Sequence, residues 1–175
     1  PGWRSLASVF PRYDDPLLAE SGMVIVQGDD GPEQKRYDRF RDRVMFPIAD
    51  LRGRLIAFGG RALDKDAPAK YLNSPETPLF HKGSNLYNGA NARQAAHQGA
   101  QVIAVEGYID VIAMVAAGFP ATVAPLGTAL TEDQLSLLWK MADEPVLLFD
   151  GDSAGRRAAY RAVDMALPRL SAGKS

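Results

Sequence analysis

The segment Val146-Leu-Leu-Phe-Asp-Gly-Asp-Ser-Ala-Gly-Arg-Arg-Ala-Ala159 runs an apolar stretch straight into two aspartates one residue apart, and then into a Ser-led, Ala-rich run. The pattern is a strand, a turn and a helix. Asp and Gly favour turns, and Ser153 is placed to cap the helix, so Asp150 and Asp152 read at the simplest as solvated turn residues. The same pattern also reads as a hard-cation site at the carboxyl end of a strand, where α/β sheets carry their chemistry. The surrounding sequence has to choose between them.

Upstream the alternation continues. Val102 to Val105 is a short apolar run, Tyr108 to Ala117 has helical spacing, and Gly118 stands where a helix stops. Ala121 to Leu126 is the next strand. Thr131-Glu-Asp-Gln134 is a capping box that opens a helix to about Ala142, Val146 to Phe149 is a third strand, and Ala154 to about Leu167 a third helix ended by Pro168. Short strands alternating with helices predict a parallel sheet covered by helices.

The first half has a different pattern. Met23 to Gln27, Val44 to Ala49 and Leu55 to Ala62 read as strands, the last two joined by the tight turn Asp50-Leu-Arg-Gly53. Gly59 and Gly60 inside a strand predict a bulge or a close backbone approach. Asp64 to Asn88 is rich in Pro, Asn, Ser and Gly and reads as a long functional or mobile loop. Asn91 to Gln98 is a short bridging helix. The expected class is α/β: a parallel sheet flanked by helices over 99–175, preceded by a smaller mixed α+β subdomain with antiparallel strands over 1–98.

A chain of 175 residues, 46% hydrophobic and 23% charged, can bury a real core. No run approaches the roughly 20 apolar residues of a membrane span, and no secretory signal opens the chain, so a cytoplasmic location with no membrane partner is the default. With no cysteine and only His81 and His97, any metal must be held by oxygen. The net charge of −1 hides an asymmetry: Asp30 to Lys82 carries 11 Lys/Arg against 8 Asp/Glu, whereas Ala100 to Asp152 carries 1 against 8. Ordinary solvated faces account for this, and so does a carboxylate site beside a surface for phosphates.

Glu106 ends the first strand of the β/α half as Asp150 and Asp152 end the third. If those strands are neighbours, or one apart, the three acids converge at one edge of the sheet, with Asp110 one helical turn beyond as a supporting group. Carboxylates gathered in this way repel unless a cation neutralises them, and Mg²⁺ accepts such oxygens while keeping several waters. For Glu106 alone, a charge favoured by a helix N-terminus is the competing account. Phosphatases of the haloacid dehalogenase type also follow a strand with Asp-x-Asp, but their motif continues with an x and then Thr or Val, where this chain has Ala154, and they have no use for the Glu106-Gly107 pair.

Glu106-Gly-Tyr-Ile-Asp110 followed by Asp150-Gly-Asp-Ser-Ala-Gly155 resembles the TOPRIM domain of primases, topoisomerases and some nucleases. "RYDRFRDRVMFPIAD" from Arg36, "FGGRAL" from Phe58, "KYLNSPETPLFHKGSNLY" from Lys70 and "PLGTALTEDQLSLL" from Pro125 are similar to bacterial replicative DNA primases of the DnaG type, from about Ser21 to Leu170. The resemblance implies the catalytic core of a nucleotidyltransferase, a DNA-directed RNA polymerase that makes short RNA primers on a single-stranded DNA template from ribonucleoside triphosphates, at bacterial replication forks. It further implies divalent metal, Mg²⁺ or Mn²⁺, held by the catalytic acids Glu106, Asp150 and Asp152 with Asp110 supporting. Arg61, Lys70, Asn73 and Lys82 match the family's basic ridge for nucleotide phosphates, template or primer, with Arg41 and Arg43 as additions. Solvent-facing positions account for Arg41 and Arg43 equally well, and Tyr71 and Tyr87 read as packing residues before base-stacking ones.

The family's further Asp cluster follows the next strand, beyond Lys174-Ser175. Its zinc-bearing module and its module for the replicative helicase lie upstream and downstream. The expectation is therefore a piece of the core, with a truncated TOPRIM domain, inactive unaided. The alternatives are a metal- and nucleic-acid-binding module without turnover, or another TOPRIM enzyme of topoisomerase or nuclease type.

Overall fold

The computed structural model describes residues 2–28, 31, 34–127 and 129–175. Pro1, Thr128 of the Pro125 motif, and Asp30 and Glu33 of the charge tally lie outside the described residues. The chain divides into two compact units, Pro1–Pro47 with Ile56–Phe80, and Ile48–Leu55 with His81–Ser175.

In the first unit a 3₁₀ turn at Ser5–Ser8 and helix α1 (Pro16–Glu20) precede strands β1 (Val24–Gln27) and β2 (Lys35–Asp38), which pair antiparallel with Val24 opposite Asp38. Tyr13, Leu18 and Val24 form its small core, with Leu6 and Val26 against them. Asp38 is buried, and both its oxygens are used: the Tyr13 hydroxyl donates to one at 2.6 Å and the Leu6 N–H to the other at 3.0 Å. That carboxylate fastens the N-terminal arm to β2. Burial, reinforced by Asp38, pushes the Tyr13 phenol up to about 12.

The second sheet has the order β3-β4-β5, from Arg43–Ala49, Leu55–Ala62 and Tyr71–Asn73. The expected Asp50 turn joins β3 to β4, with the Asp50 carboxylate accepting from the N–H groups of Arg52 and Arg54 at 2.9 Å each. Gly60 explains the double glycine as a close approach: a Cβ there would stand 3.0 Å from both the Arg43 side chain and the Phe40 ring. The loop expected over Asp64 to Asn88 holds two short elements, strand β5 and a 3₁₀ turn at Lys82–Ser84.

The second unit is the parallel sheet, ordered β7-β6-β8 from Thr122–Val123, Ile103–Ala104 and Val146–Leu147. Its helices are α2 (Gly89–His97), α3 (Tyr108–Ala116), α4 (Glu132–Met141) and α5 (Ser153–Ala166). Period-two alternation sends Val102 and Ala104 to one face, where they pack with Ala92, Ala95 and Leu138, and Ile103 and Val105 to the other, against Val111. All four are buried, so β6 is the covered central strand that a continuous apolar run requires. The strands are shorter than expected. Past Val123, for example, Ala124 leaves the ladder to bridge Tyr87.

The capping box is present as read, with Thr131 accepting from the Gln134 N–H and the Gln134 side chain accepting from the Thr131 N–H. One cap has to be corrected. Asp152, not Ser153, caps α5: its Oδ1 accepts from the N–H groups of Ala154 and Gly155 at 2.9 and 2.8 Å, and Ser153 is the first helical residue. A carboxylate is a strong acceptor for orphan N–H groups at the positive end of a helix, and the shift of one residue gives it that place. No described helix is long and apolar enough to cross a membrane.

Candidate functional site

Glu106 and Asp150 meet because β6 and β8 run parallel in register, Ile103 opposite Val146 and Ala104 opposite Leu147. Alternate N–H groups of β8 climb the ladder: Val146 donates to the Val102 carbonyl at 2.9 Å, Leu148 to the Ala104 carbonyl at 2.8 Å. At the next step the backbone of β6 has turned off at Gly107 into α3. The Asp150 N–H donates instead to Glu106 Oε1, at 3.0 Å. A side-chain carboxylate thus forms the last rung of the sheet and ties the two acidic strand ends together.

Asp152 follows as the cap of α5, and Gly155 sets how tightly that helix starts. A Cβ on Gly155 would lie 2.2 Å from the Asp150 carbonyl oxygen, so only glycine lets the first turn of α5 rest on the Asp150 backbone. Asp110 lies in the first turn of α3, and its Oδ2 would stand 3.2 Å from a Cβ on Gly107, the residue capping that helix. Glu106, Asp110, Asp150 and Asp152 are all exposed, and none is in an ion pair with a described residue.

Among the described residues no three acids are gathered closely enough to cage a metal ion. Glu106 and Asp150 are adjacent, while Asp152 has turned one oxygen back to its own helix. This donor set of exposed hard oxygens fits a cation that keeps most of its water, as Mg²⁺ does, and does not fit an ion stripped into a protein cage.

The basic residues divide by what they touch. Arg61, at 61 on β4, and Lys70, just before β5, are exposed, and Asn73 ends β5 half-buried. Lys82 opens the 3₁₀ turn of the second unit, and Gln134 holds that turn by donating to the carbonyls of Lys82 and Asn85 at 2.9 and 2.8 Å. The capping box that starts α4 therefore also positions Lys82, a coupling no local reading of the sequence contains.

Arg43 is built into the fold. Its guanidinium donates to the carbonyls of Ala69, Gly60 and Lys70 at 2.9, 3.2 and 3.4 Å, which straps β3 to β4 and to the start of β5. Burial, then the neighbouring Arg41, holds it below its usual value. Arg41 precedes β3 in the β2–β3 connection rather than alternating along a strand, and its guanidinium stacks 4.3 Å from the Trp3 ring centroid and 5.0 Å from that of Tyr37.

Residues 2–93 match the family described as the DNA primase catalytic core, N-terminal domain, and residues 100–172 match the Toprim domain. The chain is 49% identical over 174 residues to a DNA primase of Neisseria meningitidis, spanning 99% of this chain and 28% of that protein. To a DNA primase of Escherichia coli K12 it is 46% identical over 99% of this chain and 29% of that one. Among solved structures, a DNA primase domain from Pseudomonas aeruginosa superposes with a TM-score of 0.89 at 48% identity, over 99% of this chain and 54% of that one. A DnaG primase catalytic domain bound to single-stranded DNA gives 0.87 at 44% identity, over 99% and 53%. The chain spans less than a third of the length of these curated relatives.

Proposed function

The chain belongs to the DNA primase family, carrying the N-terminal domain of the catalytic core followed by a Toprim domain, and on that premise we propose that it forms part of a primer-synthesising nucleotidyltransferase. A Toprim domain implies divalent metal. Its donors here are Glu106, Asp150 and Asp152, with Asp110 beside them, and the ion is Mg²⁺ or Mn²⁺. An ion held by these residues would supply Lewis-acid chemistry, lowering the barrier for a 3′-hydroxyl attacking an α-phosphate and steadying the leaving pyrophosphate. The bond from the Asp150 N–H to the Glu106 carboxylate on the last rung of the parallel sheet carries this reading, because it brings two acidic residues to one strand end, neither in an ion pair with a described residue.

The residues of the chain divide the work. Glu106 and Asp150 hold acceptor oxygens at a fixed strand end, Asp152 is oriented by its own helix, and Gly155 keeps that helix against Asp150. Arg61, Lys70, Asn73 and Lys82 take phosphates of the single-stranded DNA template, the RNA primer or the ribonucleoside triphosphates. Arg43 acts by holding the strands that carry Arg61 and Lys70. The single-stranded DNA partner draws support from the DNA-bound DnaG catalytic domain that this chain resembles. Zinc and the replicative helicase belong, on this reading, to parts of the protein outside these 175 residues, and the setting is the bacterial cytoplasm at the replication fork.

The test is synthesis of short RNA from ribonucleoside triphosphates on a single-stranded template with Mg²⁺ or Mn²⁺, using the complete gene product. Glu106→Gln is expected to abolish product while single-stranded DNA affinity stays within about twofold of the parent, since phosphate contacts supply most of that affinity. In the same assay the 175-residue chain by itself is expected to bind single-stranded DNA without making primers. Undiminished product from Glu106→Gln would overturn the reading.

A further inference from the structure

The β4–β5 pair places one aromatic ring among the basic residues. In its antiparallel register Arg61 lies opposite Tyr71 and Gly59 opposite Asn73. Directly opposed residues share a face, and so do residues two apart along a strand. Arg61, Tyr71 and Asn73 therefore stand on one face, with the buried Gly59 at its inner end. Tyr71 is 44% exposed, and the Lys70 ammonium lies 5.9 Å from its ring centroid, at the outer limit of a cation–π contact. The other candidate ring, Tyr87, is half-buried and packs edge-on to Tyr108 at 4.7 Å, and burial raises its phenol. It is part of the packing.

We propose that Tyr71 is a base-stacking position for single-stranded nucleic acid, with Arg61 and Lys70 taking the phosphates on either side of the stacked nucleotide. The inference rests on the function proposed above and deepens it, adding contact to a base where only phosphate contacts were assigned. An exposed ring on a strand is held at its backbone by the ladder, so little ordering entropy opposes stacking. A cation at marginal distance from that ring is free to move to a phosphate when a strand arrives. Stacking of this kind is tolerant of sequence because every base has a π-face, whereas the phosphate contacts carry the salt dependence.

The experiment separates the two contributions by titrating a fluorescein-labelled ten-residue oligothymidylate, and an abasic strand of equal length, against the chain at several salt concentrations. Tyr71→Ala is expected to weaken oligothymidylate binding about 5- to 150-fold, the range set by one stacked base. It should leave abasic-strand binding and the slope of log K against log salt unchanged. Tyr71→Phe and Tyr71→Trp should restore affinity, which a loss of folding would not allow. Lys70→Ala should weaken both strands and reduce the slope by nearly one phosphate contact. Equal weakening of both strands by Tyr71→Ala, or none, overturns the stacking position while leaving the phosphate ridge standing if Lys70→Ala behaves as stated. Failure of Lys70→Ala to affect either strand removes the ridge itself.

Discussion

Asp152 has two carboxylate oxygens, and its helix uses only one of them as a cap. Oδ1 accepts from the N–H groups of Ala154 and Gly155, which leaves Oδ2 as the oxygen that the proposed cation would take. The two roles come apart under substitution, because Asn caps a helix about as well as Asp but carries no charge. Asp152→Asn should therefore leave urea stability within about 0.5 kcal/mol of the parent, and Asp152→Ala should lose about 1 kcal/mol through the vacated cap. Both should weaken Mn²⁺ binding, read by paramagnetic broadening around residues 106–110 and 150–152. Unweakened Mn²⁺ binding by the Asn variant would make Asp152 a cap and nothing more. Asp150 and Asp152 are thus neither a plain solvated turn nor a preformed cage. Asp150 continues the ladder by its N–H, and Asp152 begins the helix.

At the scale of elements, what the sequence made legible is what local patterns dictate. Thr131 and Gln134 form their box within one turn, Leu55–Ala62 keeps its predicted bounds, and the run from Val102 to Val105 is apolar because β6 is covered on both faces. The elements that went unread depend on distant partners. Strand β2 reads Lys-Arg-Tyr-Asp, with no apolar alternation, and exists through its pairing with β1 and through the buried Asp38. Strand β5 is three residues long and is held by β4 and by the Arg43 strap. The acids were found from their place at strand ends, while the anchoring of Lys82 by Gln134, 52 residues away, left no local signature. Nor did the Asp38 anchor, which has a consequence in pH. Tyr13 ionises at about 12 in the fold against an ordinary 10.0. Because the folded value is the higher one, its contribution is complete below about pH 10 and is lost as pH rises through about 12. Tyr13→Phe, which strands one oxygen of a buried carboxylate, should cost about 1–3 kcal/mol at pH 8 by urea denaturation. That deficit should shrink between pH 10 and pH 12. A deficit constant to pH 12 would separate the Tyr13 hydroxyl from the stability of the arm.

Over the whole molecule, charge is arranged by segment. Residues 100–152 carry 8 acids and a single lysine, and four of those acids stand at the ends of β6 and β8 or at the starts of α3 and α5. Like charges held together by the fold repel in the folded chain more than in the unfolded one, so a cation that binds them stabilises folding by mass action. With millimolar affinity, a tenfold excess of Mn²⁺ adds about 1.4 kcal/mol, or about 3–5 °C in Tm for a chain of this size. Glu106→Gln is the informative variant. The glutamine carbonyl can still accept from the Asp150 N–H, so the last rung of the sheet survives, while one of the clustered charges is gone. Without metal its Tm should equal or exceed the parent's, and its rise with Mn²⁺ should fall below 1 °C. Glu106→Ala, which removes the acceptor as well, should melt lower than the glutamine variant without metal. A full Mn²⁺ response from Glu106→Gln, measured by thermal denaturation with and without the ion, would place the cation elsewhere in the chain.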